Sequence, residues 1–545
     1  MDYLADITDQ VTLKHLFFVA CGVAIIKLRH SIIQPIRNWR SPLRNLQGPP
    51  NESLILGHLG VLQDAQTSDI WERWIDKYGK TFRWRRFFGS YELCTTDMRA
   101  INYIMSRNVM FPKSQRLRNA LARILGEGLL SAKPEAHKRQ RRIMNPSFNT
   151  PHIRNLVPVF WAKSNQLRDI WLEKLRDKPD GETIDILLGT TCATLDIIGI
   201  AGFGYEFHSL EGTDEDELAK AFMSVFNSND KKPSTIGLLV MIICHRLGIP
   251  TKVSRRLKAN LATIRRIGMR IVEDKKTILK QNKGGEESHG RDLLTLLIKS
   301  NIAPDVEKDE VMTDEEIFGQ ISTFLAAGHE TTSSTTSWAL YTLTKYPEIQ
   351  ARLRQELLET GPGDEISMEE LDKIPYLDKF VREVLRVYAV APMTSREASC
   401  DTVVPVGEGY TDAHGIVRHE IRLQKGDAIS IPILAMNRAK DVWGEDALDF
   451  KPERWNNLPD TVNDMPGVWS HLMTFIHGPN SCIGYRFAII EVKALLYSLV
   501  RAFEFGIDPS LEIVAKTMLV SRPCVKGDSD NINKMPLICK IARRG

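Results

Sequence analysis

FIHGPNSCIG, Phe475 to Gly484, places one cysteine between two glycines, after an aromatic residue, a proline and an asparagine. YRFAIIEVKALLYSLVRAF follows directly, and its apolar spacing predicts a long helix. A lone thiol in a Gly/Pro loop at the mouth of a helix has two readings. One is a buried structural cysteine. The other is a thiolate held for a metal, favoured by the amides of the first helical turn. The rest of the chain has to decide.

The 545 residues are 43% hydrophobic and 26% charged, an ordinary globular composition. A net charge of only +4 argues against a nucleic-acid binder built on bulk positive charge. The cysteines (Cys21, Cys94, Cys192, Cys244, Cys400, Cys482, Cys524 and Cys539) are scattered, with no CxxC pair. That pattern suits a reducing compartment, so a chemically active cysteine would act alone.

LFFVACGVAII, Leu16 to Ile26, is apolar, and no acidic residue lies between Asp9 and Glu52. This run is shorter than the ~20 residues that usually cross a bilayer. Counting from Val11 to Ile33, with Lys14 and Lys27 snorkelling, makes a span possible. Asp2, Asp6 and Asp9 stand where a cleaved signal would carry its basic region. Lys27, Arg29, Arg37, Arg40 and Arg44 follow, which favours a cytoplasmic body. The expectation is a membrane-anchor segment over 1–45, against the alternative of a surface or buried amphipathic helix. LQGPP, 46–50, then reads as a stiff hinge, and 51–545 as one body.

Within that body, IWERWIDKYG predicts a helix ended by Gly79. KTFRWRRFFGSYELCTT predicts a β-hairpin turning at Gly89-Ser90. From about Leu117 to about Thr360 the pattern is helical, whereas Lys425 to Asn480 reads as irregular coil. KTMLVSRPCVKG and NKMPLICKIA suggest short strands. No internal repeat is present. The fold class is mainly α with small β-sheets.

TDEEIFGQISTFLAAGHETTSSTTSWALYTLTKYPE begins with Thr313 and Glu316 at capping-box spacing and stops at Pro347. In its middle, small residues precede Glu330 and Thr331, an acid and a hydroxyl side by side in an apolar helix. Thr331 can bond the carbonyl of Ala327, which bends a helix and opens room for water. Proton delivery to a buried site needs such groups. A zinc-protease HExxH is excluded, because Ser333 stands where the second histidine is required. Downstream, EVLR sets Glu383 one turn from Arg386, and FKPERW offers Arg454 as a second cation. AHKRQRRIMNPSF carries His137 and Arg141 on a basic helix, and AVAPMTSR ends in Arg396. Each of these alone fits a solvated surface equally well.

In this order the pieces resemble the cytochrome P-450 family of heme-thiolate monooxygenases, over nearly all of the chain from the proline hinge onward. FIHGPNSCIG is similar to its heme-binding loop, with Phe475, Gly478, Cys482 and Gly484 at matching spacing. AAGHETT resembles its oxygen-activating helix motif, EVLR its Glu-x-x-Arg motif, and PERW the partner that supplies a second arginine.

The resemblance implies a single large heme domain of the cytochrome P-450 fold, binding heme b with Cys482 as axial thiolate to iron. Phe475 would shield that thiolate, and Gly478 and Gly484 would let the backbone pass close to sulfur and porphyrin. Glu330 and Thr331 would relay protons, leaving Ala327 and Gly328 over the porphyrin. Glu383, Arg386 and Arg454 would form a buried ion network. His137, Arg141 and Arg396 would hold the heme carboxylates. The chain departs from the family twice. His137 stands where tryptophan is usual, and Asn480, the remaining heme contact, where arginine or histidine is usual.

The resemblance further implies oxygen insertion into a lipophilic small molecule, with electrons from NADPH. No GxGxxG fingerprint is present, so a separate NADPH-dependent cytochrome P-450 reductase is expected, docking near Lys138, Arg139 and Arg142. Val390, Ala391, Met393, Thr394 and the segment Phe111 to Arg118 would border the pocket. Likeness to fungal microsomal members suggests an endoplasmic-reticulum anchor and specialised metabolism, with terpenoids among the candidates. The rivals are a heme-thiolate isomerase that needs no reductase and a heme carrier without turnover.

Overall fold

The structure, a computed structural model, describes residues 37–64, 69–212, 216–226, 251–281, 292–301, 311–517, 519–528 and 532–542, with single positions at 237, 244 and 249. The proposed membrane span, Val11 to Ile33, lies outside them.

Among the described residues, the helices of eleven residues or more are α1 (Gln115–Leu125), α2 (Pro134–Met144), α3 (Thr150–Leu175), α4 (Ile186–Phe203), α5 (Lys252–Gln281), α6 (Asp314–Lys345), α7 (Pro347–Glu359), α8 (Pro375–Val387) and α9 (Tyr485–Ala502). The strands are β1 (Thr81–Arg85), β2 (Tyr91–Thr95), β3 (Glu182–Asp185), β4 (Thr394–Glu397), β5 (Thr402–Thr411), β6 (Val417–Leu423), β7 (Ala428–Ile431), β8 (Phe503–Gly506), β9 (Ile513–Thr517), β10 (Ser521–Val525) and β11 (Pro536–Ile541). They form small sheets in the orders β1-β2-β7-β4 and β3-β11-β8, with the pairs β5-β6 and β9-β10. The chain is therefore mainly helical with small sheets, and the expected hairpin pairs Thr81 with Thr95 through Arg85 with Tyr91.

The sequence reading named none of the strands β3 to β8, and two of them show why. β7 lies in the stretch expected to be coil, and it pairs parallel with β2, far earlier in the chain. β3 interrupts the helical region and pairs with β11 near the C-terminus. Strands this short are specified by a distant partner rather than by their own pattern.

One contiguous hydrophobic cluster runs from Leu43 to Cys539. At its centre lies α6, packed against α4, α5, α9, α1 and α8. Its start is the anticipated capping box: the Thr313 hydroxyl accepts from Glu316 N, and the Glu316 carboxylate accepts from Thr313 N. Tyr346 ends it, one residue before Pro347. By length and hydropathy α4 could cross a membrane, but 83% of it is buried inside the fold, so it is a core helix.

The LQGPP stretch lies along β1. Gln47 O accepts from Arg83 N at 2.8 Å, and Arg83 Nε donates to Leu46 O at 2.8 Å. A Cβ on Gly48 would overlap the Arg83 carbonyl, so the approach requires glycine.

Candidate active site

Cys482 sits two residues before Gly484, which caps α9. Its N–H donates to Phe475 O at 2.8 Å, closing the loop across a 3-10 turn at Gly478–Asn480. Phe475 is buried, and its ring is held between Trp469 and Tyr485, with centroids 5.9 and 6.0 Å away. Burial pushes the Cys482 thiol up, while the Gly484 N–H and the Arg141 charge pull it down. Gly478 has a conformational task in the fold. Its φ is +74°, and a Cβ there would overlap the carbonyl of Met105, so the residue serves a tight turn against the helix Met98–Ser106.

Beside this loop, basic groups converge from four segments. Arg141 of α2 donates from Nη1 to Ser481 O. Arg396 of β4 is fully buried and donates from Nη1 to Thr394 Oγ1 and Ser395 O, both at 2.8 Å. Its Nε and Nη2, and Nε of Arg118, are buried and find no acceptor among the described residues. Lys113 donates to Leu130 O at 3.0 Å. Its pKa is lowered to about 7 by burial and then by Arg396, Arg141 and Arg118. The pKa of His137 falls to about 3 by burial and then through Lys113, Arg141 and Arg396, so its imidazole is neutral. His137 can therefore contribute a hydrogen bond but not a charge. Mutually repelling cations with idle donors make a site for an anionic group. Asn480 is half-buried at the end of the 3-10 turn.

In α6, Thr331 Oγ1 donates to Ala327 O at 2.6 Å, as expected. Glu330 is 4% exposed and ion-paired with Arg522 of β10. Gly328 also has a packing reason. An added Cβ would come within 2.8 Å of Ile198 Cγ1, so this glycine lets α4 approach α6.

Glu383 and Arg386 meet in the interior of α8 and both are fully buried. Arg386 also donates to the carbonyls of Asn437, Ala447 and Asp449, pinning the coil that leads toward the cysteine loop. Arg454 belongs to the same group, but its Nε stands 3.5 Å from Glu383 while its Nη1 donates to Asp446 Oδ1 at 2.5 Å. Hydrogen bonds from Arg454 and then Lys451 hold the Asp446 carboxyl down at about 2.

The sequence model of the cytochrome P-450 family matches residues 47–524. This chain belongs to the cytochrome P-450 family. It is 42% identical over 540 residues to cytochrome P-450 monooxygenase 205 of Postia placenta, covering 98% of this chain and 99% of that relative. Against cytochrome P-450 monooxygenase 128 of the same fungus it is 44% identical over 515 residues, 92% and 93% of the two chains. Against cytochrome P-450 monooxygenase claW of Ampulloclitocybe clavipes it is 33% identical over 524 residues, 94% and 95% of the two.

Membership of the cytochrome P-450 monooxygenases makes the chain an oxidoreductase and implies heme-thiolate iron. The site fits such a group: a cysteine at a helix entrance faces one requirement, and idle buried donors of Arg396 and Arg118 face the other. Sequence reasoning missed Lys113, Arg118, Arg522 and Asp446. Lys113 and Arg118 lie in the segment assigned to the pocket border, which is bonded to β4 through Pro112 O and Glu397 N at 2.9 Å. Nothing local in SRPC or EDAL signalled the other two.

Proposed function

We propose that this cytochrome P-450 inserts one oxygen atom of O2 into a lipophilic small molecule, with electrons from NADPH delivered by a separate reductase. The observation that carries the reading is Cys482 at the entrance of α9 beside a cation cluster in which buried Arg396 and Arg118 donors find no acceptor among the described residues. Cys482 would hold the iron of heme b through its thiolate. Arg141, Arg396, Lys113 and Arg118 would hold the heme carboxylates by charge, with His137 and Asn480 as neutral donors. When bound, heme iron with a thiolate ligand supplies the activation of O2.

The chain's own residues do the rest. Phe475 keeps water from the sulfur. Glu330 and Thr331 carry protons along α6, the acid from its buried ion pair and the hydroxyl from its bond to Ala327 O. The Glu383–Arg386 pair holds the coil behind the cysteine loop. Val390 is buried and accepts from Ser521 N at 2.7 Å, so β10 borders the same region as the Phe111–Arg118 segment and Thr394. Val390, Ala391 and Met393 at this border are apolar, which favours an apolar substrate.

Residues 1–45 would attach the chain to the endoplasmic-reticulum membrane, with the heme domain in the cytosol. Lys138 and Arg142 are exposed and would meet the reductase; Arg139 is engaged with Glu316. Specialised metabolism is the setting, and terpenoids are the first substrates to try. The test is expression with a reductase, the carbon-monoxide difference spectrum, and product analysis against terpenoid, fatty-acid and aromatic panels. A Cys482→Ala variant that kept the thiolate-type spectrum would sink the ligand assignment. Bound heme without NADPH consumption would favour a carrier or an isomerase.

A further inference from the structure

The two carboxylate oxygens of Glu330 face different partners. Oε2 is ion-paired with Arg522 of β10, and Oε1 lies 3.0 Å from Nε2 of His329. His329 is fully buried, and its Nδ1 meets the carbonyl oxygen of Leu325. A carbonyl only accepts, so Nδ1 carries its hydrogen. Burial lowers the His329 pKa to about 4, the Leu325 bond opposing this and the Arg522 charge adding to it. The ring is therefore neutral near pH 7, with its Nε2 lone pair toward Glu330. Two buried acceptors this close repel unless a proton lies between them.

From α4, Thr194 donates to the His329 carbonyl oxygen at 3.1 Å. On α9, the buried Glu491 faces Thr332. Arg522 itself is nearly buried, and burial brings its pKa down to about 10, so it stays charged.

We infer that Arg522 and His329 are positioning residues that act through Glu330: the guanidinium fixes Oε2, and one exchangeable proton is held between His329 Nε2 and Glu330 Oε1 for delivery along α6. The inference rests on the reading of Glu330 as a relay carboxylate. For each proton that Glu330 gives up toward Thr331, one returns from water to the His329–Glu330 pair, so the charge of the cluster is restored. Arg522 follows Ser521, whose N–H holds Val390 O, so one strand joins the relay to the pocket border.

The test compares wild type, R522K, R522M and H329Q, each as the heme-loaded full chain with a cytochrome P-450 reductase. Two rates are measured from pH 6 to 9, in H2O and in D2O. One is NADPH consumption under air. The other is guaiacol oxidation driven by cumene hydroperoxide, which does not need protons delivered to O2. For R522M and H329Q the ratio of the first rate to the second should fall about tenfold, less than the hundredfold or more of losing an acid–base group outright, because Glu330 itself remains. The solvent isotope effect on NADPH consumption should rise and its pH profile shift, with R522K closer to wild type.

A ratio, isotope effect and pH profile equal to wild type in the variants would overturn the inference alone, as would both rates falling together in every variant. If R522M does not load heme, R522K and H329Q decide by the same comparison. A wild type that binds heme but consumes no NADPH would overturn the monooxygenase reading, and the inference with it.

Discussion

Arg386 donates to both carboxylate oxygens of Glu383, from Nε at 2.9 Å and Nη2 at 2.7 Å, with neither side chain exposed to water. The remaining acceptor capacity of Glu383 is taken by Lys451 N at 2.9 Å and Trp455 Nε1 at 3.1 Å. Replacing Glu383 by alanine would strand a buried guanidinium and release the coil it pins. The expected loss is about 3–5 kcal/mol. Urea unfolding of the heme-loaded protein, followed by circular dichroism and Soret absorbance, measures it. Arg454→Lys should cost less, because the closest acidic partner of Arg454 is the more exposed Asp446. Equal midpoints for wild type and Glu383→Ala would contradict the account.

The cation cluster makes heme retention depend on pH. Burial and then Arg396, Arg141 and Arg118 lower the Lys113 pKa to about 7, and bound carboxylates would favour its charged form. Below pH 7 Lys113 is already protonated; above it, binding must take up a proton. Heme affinity should therefore decline as pH rises above about 7, by up to about tenfold per unit. Heme transfer to apomyoglobin reports the rate of loss. Lys113→Met should flatten the pH dependence, Arg396→Met should speed loss at every pH, and Asn480→Arg should slow it.

The two glycines of the loop should differ. At Gly478, with φ +74°, alanine would adopt a left-handed conformation costing about 1–2 kcal/mol and would also collide with the Met105 carbonyl. Gly478→Ala should lower both the unfolding midpoint and the thiolate-type carbon-monoxide signal per chain. At Gly484 an added Cβ would meet Phe148 Cε1 at 3.6 Å, an ordinary contact. Gly484→Ala should change heme binding while leaving the polypeptide's midpoint within about 0.5 kcal/mol of wild type.

Cysteine chemistry offers a check on the fold that is independent of heme. Cys400 is exposed, whereas Cys192 and Cys539 are buried with their thiols pushed up to about 12. Iodoacetamide at pH 8 should label Cys400 in the native protein and the other two only after unfolding, as read by mass spectrometry. The linkage has a definite sign. Unfolded thiols lose their protons near pH 9, while the folded ones keep theirs, so stability should fall as pH rises above 9. Alanine at either buried position should reduce that fall.

Much of the site was legible because its parts are local. A cysteine loop before a helix, a capping box, an acid–hydroxyl pair within one turn and a Glu-x-x-Arg pair are each written in a few adjacent residues. Spacing along one element sets their geometry, so Thr331 meets Ala327 O and Arg386 meets Glu383 as periodicity requires. The same logic did not reveal the packing contacts of Gly328 and Gly478, which lie across the fold, at Ile198 and Met105. Nor could it show that burial among cations keeps His137 neutral, so that it offers a hydrogen bond and no charge.

The sequence by itself determined the family and the mainly helical class, and singled out the thiol proposed to hold the iron, because motif order and hydrophobic period survive without coordinates. Tertiary structure alone decided which charges meet. Arg522 reaches Glu330 from a strand far along the chain, and Lys113, Arg118, Arg141 and Arg396 converge from separate segments. The physical reason is that a buried charge is tuned by whatever packs around it in low dielectric, and packing is a property of long-range contacts rather than of neighbours in sequence.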